Sequence, residues 1–349
     1  MDNKIIYIGN ILSKQGITPT TIELLGPRLE KKYNIEYASS YWNPMIRIFH
    51  MKYVFIRCSK ASSVVLIDTY SSLAFWYAII IALLAQLFNK PYIPILHGGK
   101  LPERLLSNPK LCRLIFNKSL INVAPSNYLK HHFNEAGYKT ILIPNFIDIN
   151  NYIFQKRSNI KPGLLWVRAF HQQYNPEMAV KVTAALVPAF PDIHLCMVGP
   201  DKDGSMEQCK QFAVELGVVD RIVFTGLLSK SEWIALSANY DIFINTTNID
   251  NTPVSVIEAM ALGLPVVSTD AGGMPFLIDS GVDGLLVPQG DTEAFAAAIT
   301  QLLEHPDLAL QLSQNARQKV ELYDWEVVKN QWFEVIDEAI SLSKKEGTT

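Results

Sequence analysis

The sequence predicts an α/β protein built from two doubly wound domains, each a parallel sheet covered by helices on both faces. Two observations favour this class. Short apolar runs typical of buried strands alternate with helix-length segments, once in the first half of the chain and again in the second. A chain of 349 residues is also too long for one ordinary hydrophobic core, because domains usually contain roughly 100 to 200 residues.

The first half begins with a strand-like run and continues as strand and helix in turn. One helix has Ser126 as a suitable N-cap and Gly137 as a residue that can end it. The other predicted helices lie at about 19–32 and 73–88, and the predicted strands at 4–10, 63–68, 91–99, from 121 into the capped helix, and at 140–145.

A polar, irregular segment at 148–162 separates the halves, and the alternation starts again after it. We therefore expect an N-terminal domain at 1–155, a second domain at 156–325, and a C-terminal helix at 326–349 that packs towards the N-terminal domain. The predicted strands of the second half lie at 163–170, 193–200, 221–226, 240–247, 264–269 and 284–288, and the tail from about Thr292 is helical.

Charge and cysteine content exclude some classes of protein. The formal net charge is −2, so no general positive field would draw the chain to nucleic acid. The four cysteines stand far apart without a C-x-x-C pair or a nearby histidine cluster, which argues against a zinc site or a disulfide framework. We expect a protein of the reducing cytoplasm.

Targeting and membrane signals are weak. The N-terminus lacks the basic and then apolar layout of a secretory signal. Residues 73–88 are apolar apart from Gln86, but this segment is shorter than the roughly 20 residues that a bilayer span needs. We therefore expect a buried helix, with a shallow contact at the inner face of the membrane as the alternative.

A single carboxylate stands out in an apolar segment near the end of the second domain. Between residues 253 and 267 only Ser255 and Glu258 are polar. A lone buried carboxylate is costly, so Glu258 is neutral, paired within the protein, or awaiting a ligand. The spacing predicts a helix from about Pro253, with Asn251 or Thr252 as its N-cap. A sugar-binding role and a helix-dipole or salt-bridge role both remain open at this point.

Residues 250–291 contain two acidic residues eight positions apart, the run E-A-M-A-x-G-x-P-V-V, a G-G pair and a G-L-L-V run. In these features the segment resembles the donor-site signature of the retaining glycosyltransferase family 4. The resemblance implies the GT-B fold, in which two Rossmann-like, doubly wound domains face a central cleft. Ligands of open α/β sheets bind outside the carboxyl ends of the strands, where helix N-termini favour phosphate.

The resemblance also implies roles for individual residues of the second domain. Glu258 matches the glutamate that holds the nucleotide ribose, and Asp250 replaces the glutamate that holds the transferred sugar. One methylene fewer at Asp250 leaves the identity of the sugar open. The donor-binding segment is expected to include Asn251, Thr252, Pro253 and Val254, whose backbone would approach the sugar and the distal phosphate.

Arg168 matches the family arginine that neutralises the donor diphosphate as the leaving group departs. The partner lysine is absent, since Gln173 and Tyr174 stand in its place; whether Tyr174 or Lys202 compensates is open. Gly199 resembles a turn near the nucleotide where a missing side chain allows close approach, although an ordinary strand-end turn fits equally well.

The first domain resembles the family only in outline. Family members carry a glycine-rich loop after the first strand that reaches the diphosphate, and Gly16 is the candidate residue for this role here. The alternative is an ordinary flexible loop. His97 resembles the cleft-facing histidine near the reacting sugar carbon, and the alternative is a structural strand-end histidine. Lys100 and Arg104 follow it and could meet an anionic acceptor.

The resemblance implies a cytoplasmic retaining glycosyltransferase that uses a UDP- or GDP-linked sugar and no cofactor. The acceptor would be a hydroxyl of a glycan or lipid-linked glycan in cell-envelope polysaccharide or lipopolysaccharide biosynthesis. The resemblance implies that Arg168 and backbone dipoles neutralise the donor diphosphate, so we expect no metal. Two alternatives are a nucleotide-sugar epimerase of the same fold and a non-catalytic nucleotide-sugar binding module.

Overall fold

The computed structural model describes residues 4–15 and 19–346. It divides into two compact units, unit 1 with Met1–Pro144 and Lys329–Thr349, and unit 2 with Asn145–Val328. The division comes about ten residues before the sequence-based boundary at 155/156. The reason is that Ile147 exchanges backbone hydrogen bonds with Tyr323 and Trp325, at 3.0 and 2.9 Å, and so belongs to unit 2.

Unit 1 contains a six-stranded parallel sheet in the order β2-β1-β3-β4-β5-β6. Its strands are β1 (Lys4–Ile8), β2 (Asn34–Ala38), β3 (Ser62–Tyr70), β4 (Tyr92–His97), β5 (Asn122–Ala124) and β6 (Thr140–Leu142). Its helices are α1 (Thr21–Leu29), α2 (Pro44–Cys58), α3 (Phe75–Leu87), α4 (Leu101–Ser107), α5 (Pro109–Phe116) and α6 (Asn127–Glu135).

Unit 2 contains a second six-stranded parallel sheet in the order β12-β11-β10-β7-β8-β9. Its strands are β7 (Gly163–Val167), β8 (His194–Val198), β9 (Ile222–Gly226), β10 (Ile242–Asn245), β11 (Val266–Thr269) and β12 (Leu285–Val287). The helices are α7 (Pro176–Leu186), α8 (Ser205–Glu215), α9 (Lys230–Ser237), α10 (Val254–Ala261), α11 (Met274–Leu277), α12 (Thr292–Glu304) and α13 (Pro306–Glu321). The last helix, α14 (Trp325–Glu346), begins in unit 2 and belongs to unit 1 from Lys329 onward.

The fold class predicted from the sequence is confirmed, since each unit is a doubly wound α/β domain. The chain order reverses beside the first strand of each sheet, between β1 and β3 in unit 1 and between β7 and β10 in unit 2. Because neighbouring parallel strands end at the same edge, such a reversal opens a crevice where ligands of open α/β sheets bind. The residues that follow these strands are therefore the candidates for ligand binding.

Local signals explain the ends of several elements. The hydroxyl oxygen of Ser126 accepts a hydrogen bond from the backbone N–H of Leu129 at 3.1 Å, which caps α6 as predicted. Gly137, two residues after α6, has φ = 82°, a left-handed conformation that glycine adopts without steric cost.

The apolar segment at 73–88 forms α3, and most of that helix is buried in the core of unit 1. No helix within residues 4–15 and 19–346 is long and apolar enough to cross a membrane. The sequence analysis did not identify β2, α2, α4 or α5. Helix α2 carries apolar side chains on two opposite faces, which blurs the periodicity that normally marks a surface helix.

Candidate functional site

Arg168 and Asp250 form an ion pair at the carboxyl edge of the unit 2 sheet. Arg168 directly follows β7, and Asp250 lies in the loop that leaves the neighbouring strand β10. Oδ2 of Asp250 accepts a hydrogen bond from Nη2 of Arg168, and Oδ1 accepts one from the backbone N–H of Asn251 at 2.8 Å. The structure thus brings two of the predicted catalytic residues into direct contact.

The guanidinium of Arg168 retains unused donors. Its Nε is buried and has no hydrogen-bond partner among the described residues. The ring of Tyr174 lies 4.2 Å from the guanidinium carbon, a cation–π distance that restrains the arginine side chain. Buried donors without an acceptor are uncommon. The arrangement suits a guanidinium that an anionic ligand completes.

Gly199 follows β8 and packs against the backbone of Arg168. A Cβ at this position would lie 1.7 Å from the carbonyl oxygen of Arg168, and the φ of Gly199 is 152°. The N–H of Arg168 also donates to the carbonyl of Val198 at 2.9 Å. The glycine is therefore needed for contact within the protein. Its predicted approach to a nucleotide stays a prediction.

Gln173, which stands where the family lysine was expected, holds the loop after β10. Its side-chain amide donates to the carbonyl of Ile249 at 3.0 Å, and its own carbonyl accepts from the N–H of Asn248 at 2.9 Å. The glutamine therefore has a structural role in anchoring the loop that leads to Asp250. Lys202 is exposed and forms no ion pair within the part of the chain that the structure describes.

Helix α10 begins one residue later than predicted. Pro253 has ψ = 120°, outside the helical region, so it is the N-cap and Val254 is the first helical residue. The prediction that Asn251 or Thr252 caps this helix is wrong.

Of the four predicted donor-binding residues, Pro253 has no N–H and the N–H of Asn251 is bonded to Asp250. Thr252 and Val254 are left as the backbone donors.

The first turn of α10 carries a further polar group that the motif did not single out. The hydroxyl of Ser255 is buried and makes no hydrogen bond with a described residue. Its position in the sequence is a usable signal, because Ser255 is the other polar residue in the apolar segment around Glu258. A hydroxyl beside the free N–H groups of a helix N-terminus can donate to an anion.

Glu258 is paired within unit 2. Its side chain is almost fully buried, and Oε1 accepts hydrogen bonds from the hydroxyl of Tyr152, at 2.7 Å, and from Nζ of Lys230. Burial, together with the nearby Glu258 carboxylate, raises the pKa of Tyr152 well above its ordinary value. Both bonds fall on one oxygen, and no described residue donates to Oε2.

The structure shows that Glu258 is paired within the protein, but it leaves open whether Glu258 also binds a ligand. Glu258 is compensated without any ligand, since Lys230 supplies an opposite charge and Tyr152 a hydrogen bond. The free Oε2 can still accept from a ligand hydroxyl. Sequence reasoning missed Lys230 and Tyr152 because they lie 28 and 106 residues away from Glu258 along the chain.

The predicted G-G pair supports the loop that carries Asp250. A Cβ on Gly272 would lie 2.3 Å from the carbonyl oxygen of Asp250, and one on Gly273 would lie 1.7 Å from that of Asn251. The N–H of Gly273 donates to the Asp250 carbonyl at 2.8 Å. The two glycines are therefore required so that the loop can pack at the start of α10.

Unit 1 carries its own cluster at the carboxyl ends of β3 and β4. Nε2 of His97 lies 3.0 Å from Oδ1 of Asp68, which also accepts from the hydroxyl of Tyr7 at 3.1 Å. The ring of Tyr70 stacks on His97 with centroids 4.7 Å apart. Asp68 is fully buried, and its Oδ2 has no hydrogen-bond partner among the described residues. Asp68 fixes the orientation of His97, and the sequence analysis did not identify it.

The loop after β1 is anchored by Glu23 of α1. Its carboxylate accepts from the backbone N–H of Ser13 at 3.1 Å and from that of Thr20 at 3.0 Å. Burial raises the pKa of Glu23, but the hydrogen bonds from Ser13 and Thr20 outweigh burial and hold it below its ordinary value. The candidate Gly16 lies outside the described residues.

Comparison with solved structures defines the class of fold. The structure of Anabaena Alr3699/HepE in complex with UDP superposes with a TM-score of 0.78 at 18% identity, covering 96% of this chain and 100% of that chain. The sucrose-phosphate synthase of Thermosynechococcus elongatus superposes with a TM-score of 0.79 at 17% identity, covering 97% and 100%. The fold is that of the GT-B glycosyltransferases.

Residues 148–319 match the model of the family described as glycosyl transferases group 1. This segment of the chain belongs to that family, and it contains Arg168, Asp250 and Glu258. The resemblance inferred from residues 250–291 is thus confirmed.

Two curated relatives show the extent of the sequence similarity. The D-inositol 3-phosphate glycosyltransferase of Saccharomonospora viridis is 29% identical over 174 residues, 48% of this chain and 40% of that protein. The phosphatidyl-myo-inositol mannosyltransferase of Mycobacterium leprae is 28% identical over 236 residues, 65% of this chain and 62% of that protein. The chain thus matches less than two thirds of the length of either relative.

Proposed function

We propose that this protein is a glycosyltransferase that moves a sugar from a UDP- or GDP-linked donor to a hydroxyl of a glycan or lipid-linked glycan. The observation that carries the proposal is the Arg168 guanidinium at the carboxyl edge of the unit 2 sheet, held by Asp250 with its Nε unpartnered. A diphosphate bound there would receive charge-assisted hydrogen bonds. The same guanidinium would stabilise the negative charge that develops when the sugar leaves.

The remaining groups of the unit 2 site fit the rest of such a donor. The backbone N–H groups of Thr252 and Val254 and the hydroxyl of Ser255 surround the start of α10, where the helix dipole favours anions. Oε2 of Glu258 offers an acceptor for the ribose hydroxyls. Asp250 retains lone pairs for the transferred sugar, although its shorter side chain is already committed to Arg168.

The finer parts of the proposal rest on the family resemblance. We propose a reaction that retains the anomeric configuration, with no cofactor and no metal, in which the leaving phosphate accepts the proton of the acceptor hydroxyl. A role for His97 beside the reacting sugar is part of the same proposal. The relatives named as a D-inositol 3-phosphate glycosyltransferase and a phosphatidyl-myo-inositol mannosyltransferase support a hydroxyl acceptor, which in the second name belongs to a lipid. We place the reaction in cell-envelope polysaccharide biosynthesis at the cytoplasmic side of the membrane.

The test is turnover of nucleotide sugars by the purified protein. UDP- and GDP-linked hexoses are incubated with and without polyprenyl-linked and free glycan acceptors, and the released nucleotide and the glycan product are measured by mass spectrometry. We expect one donor to release its nucleotide, and this release to be lost in Arg168→Gln and kept in the exposed control Lys156→Gln. Donor conversion without acceptor and without a glycoside product identifies an epimerase instead. Binding without any turnover of any donor contradicts the proposal.

A further inference from the structure

Helix α2 of unit 1 carries a second apolar face that nothing in the described structure covers. One face packs into the core through Met51, Val54, Phe55 and Cys58. The side chains of a second set are large, apolar and 50% to 62% exposed: Met45, Ile46, Phe49, Tyr53 and Ile56.

The exposed side chains form one continuous stripe. Each residue advances about 100° around an α-helix, so the five lie within an arc of about 100°, directly opposite the buried set. Tyr41 and Trp42, which precede the helix, are 49% and 63% exposed and extend the stripe at its N-terminal end. Single exposed apolar residues are ordinary, whereas a contiguous stripe of this kind marks an interaction surface.

Cations border this stripe. On the helical projection Lys52 and Arg57 lie at its two edges, and the exposed Lys60 follows the end of the helix. Arg57 also pairs with Glu36, the last acidic residue before the stripe. Between Glu36 and the buried Asp68 the chain has no acidic residue, while it has four Lys and Arg side chains.

The positive charge extends through the surrounding part of unit 1. Residues 37–134 contain eleven Lys and Arg side chains and two acidic ones, an excess of nine positive charges in a chain whose formal net charge is −2. The overall charge therefore conceals a strong asymmetry. Such an asymmetry indicates an anionic partner for the positive part of the chain.

We propose that the exposed face of α2 docks on an anionic lipid bilayer. The helix would lie in the plane of the interface, with Phe49 and Ile56 among the acyl chains and Lys52, Arg57 and Lys60 against lipid phosphates. A nucleic acid would use the cations but would leave the apolar stripe without a partner. A second copy of the chain would cover the stripe but would bring like charges together. A bilayer with anionic headgroups satisfies both features.

This surface is distinct from the segment that the sequence offered for membrane contact. In α3 the apolar side chains are mostly in the core, so their hydrophobicity is already used in folding. The surface is also independent of the proposed sugar transfer, because lipid binding requires no donor and no acceptor.

Flotation with vesicles tests the proposal directly. Vesicles of phosphatidylcholine alone and of phosphatidylcholine mixed with phosphatidylglycerol are floated with the full chain and its variants, and the bound fraction is measured. We expect binding to the anionic vesicles that weakens with salt. Phe49→Gln should lower the partition coefficient about tenfold, the effect of removing one large apolar side chain from the interface. Lys60→Glu should lower it at least about fivefold, because each juxtamembrane cation contributes roughly 1 kcal/mol.

Matched controls separate this surface from general effects. Val214→Gln replaces an equally exposed apolar side chain in unit 2, and Lys156→Glu reverses an exposed charge there; both should float like the wild type. Thermal unfolding shows that each variant is folded. The proposal is overturned if the wild type does not float with anionic vesicles, or if Leu87→Gln in α3 removes binding while Phe49→Gln does not. It is also overturned if, of these variants, only Lys60→Glu lowers vesicle binding and the protein binds single-stranded RNA.

Discussion

Replacing Glu258 by glutamine separates its structural role from a ligand role. The substitution keeps the size of the side chain and removes its charge. The amide oxygen can still accept the hydrogen bond of Tyr152, now between neutral groups and about half as strong. Lys230 loses its ion partner, but its side chain is 57% exposed, so this loss costs about 1 kcal/mol or less. The buried charge and its desolvation cost disappear at the same time.

These opposing effects predict a small change in the free energy of unfolding, about 1 kcal/mol in either direction. Donor binding should change more. If Oε2 accepts ribose hydroxyls, the variant loses hydrogen bonds to a charged group, which are worth about 1.5 to 3 kcal/mol each. That corresponds to at least a tenfold loss in affinity for the nucleotide.

The assay combines denaturant unfolding of the free protein with calorimetric titration of UDP and GDP. Glu207→Gln is the control, because Glu207 is an exposed carboxylate that also pairs with a lysine. A ligand role for Glu258 is ruled out if Glu258→Gln is strongly destabilised while its nucleotide affinity equals that of the wild type. Glu258 would then be a structural carboxylate held by Lys230 and Tyr152.

Three further predictions follow from close contacts and hydrogen bonds. Gly199→Ala should destabilise unit 2 by about 3 kcal/mol or more, because its Cβ would overlap the Arg168 carbonyl; denaturant midpoints measure this. Nitrogen NMR should find neutral His97 protonated on Nε2, facing the Asp68 carboxylate, and Asp68→Leu should change that tautomer. Glu23→Gln should make the free energy of unfolding less sensitive to acid. Because folding lowers the pKa of Glu23, the stabilisation by its carboxylate is complete above pH 4.5 and is lost as the pH falls through the folded-state pKa.

Each of these predictions has a contrary result. Gly204 also has a positive φ but has no atom near its missing Cβ; if Gly204→Ala is as damaging as Gly199→Ala, overlap is not the cause. A His97 that carries its proton on Nδ1 in the wild type contradicts the Asp68 contact. Parallel stability–pH curves for wild type and Glu23→Gln would mean that the Ser13 and Thr20 hydrogen bonds do not perturb Glu23.

Most of the fold could be predicted from the sequence because both sheets are parallel and buried. Their strands are short apolar runs that stand out against polar loops, and the structure places a strand at each predicted position. Helix α2 could not be recognised in the same way, since its two apolar faces leave no polar stripe. Net charge alone conceals the basic segment at 37–134, because the value of −2 averages that segment with an acidic remainder.

The site was predicted where its residues are local and missed where they are distant. Asp250 and Glu258 lie eight positions apart at the start of one helix, so a motif contains both. Lys230 and Tyr152 meet Glu258 through the packing of three separate segments. In the sequence Asp68 is only a polar residue at the end of a predicted strand. Its contact with His97 depends on the register of β3 against β4, which the sequence alone does not show.

Binding of a donor diphosphate by Arg168 can be tested by comparing nucleoside diphosphates with monophosphates. The affinities of UDP, UMP, GDP and GMP are measured by calorimetry for wild type and Arg168→Met. We expect the wild type to prefer one diphosphate over its monophosphate by at least about tenfold, the value of one charge-assisted contact. Arg168→Met should lose this preference while its affinity for the monophosphate is unchanged. A preference that survives in Arg168→Met, or a wild type without one, would show that Arg168 does not bind the diphosphate.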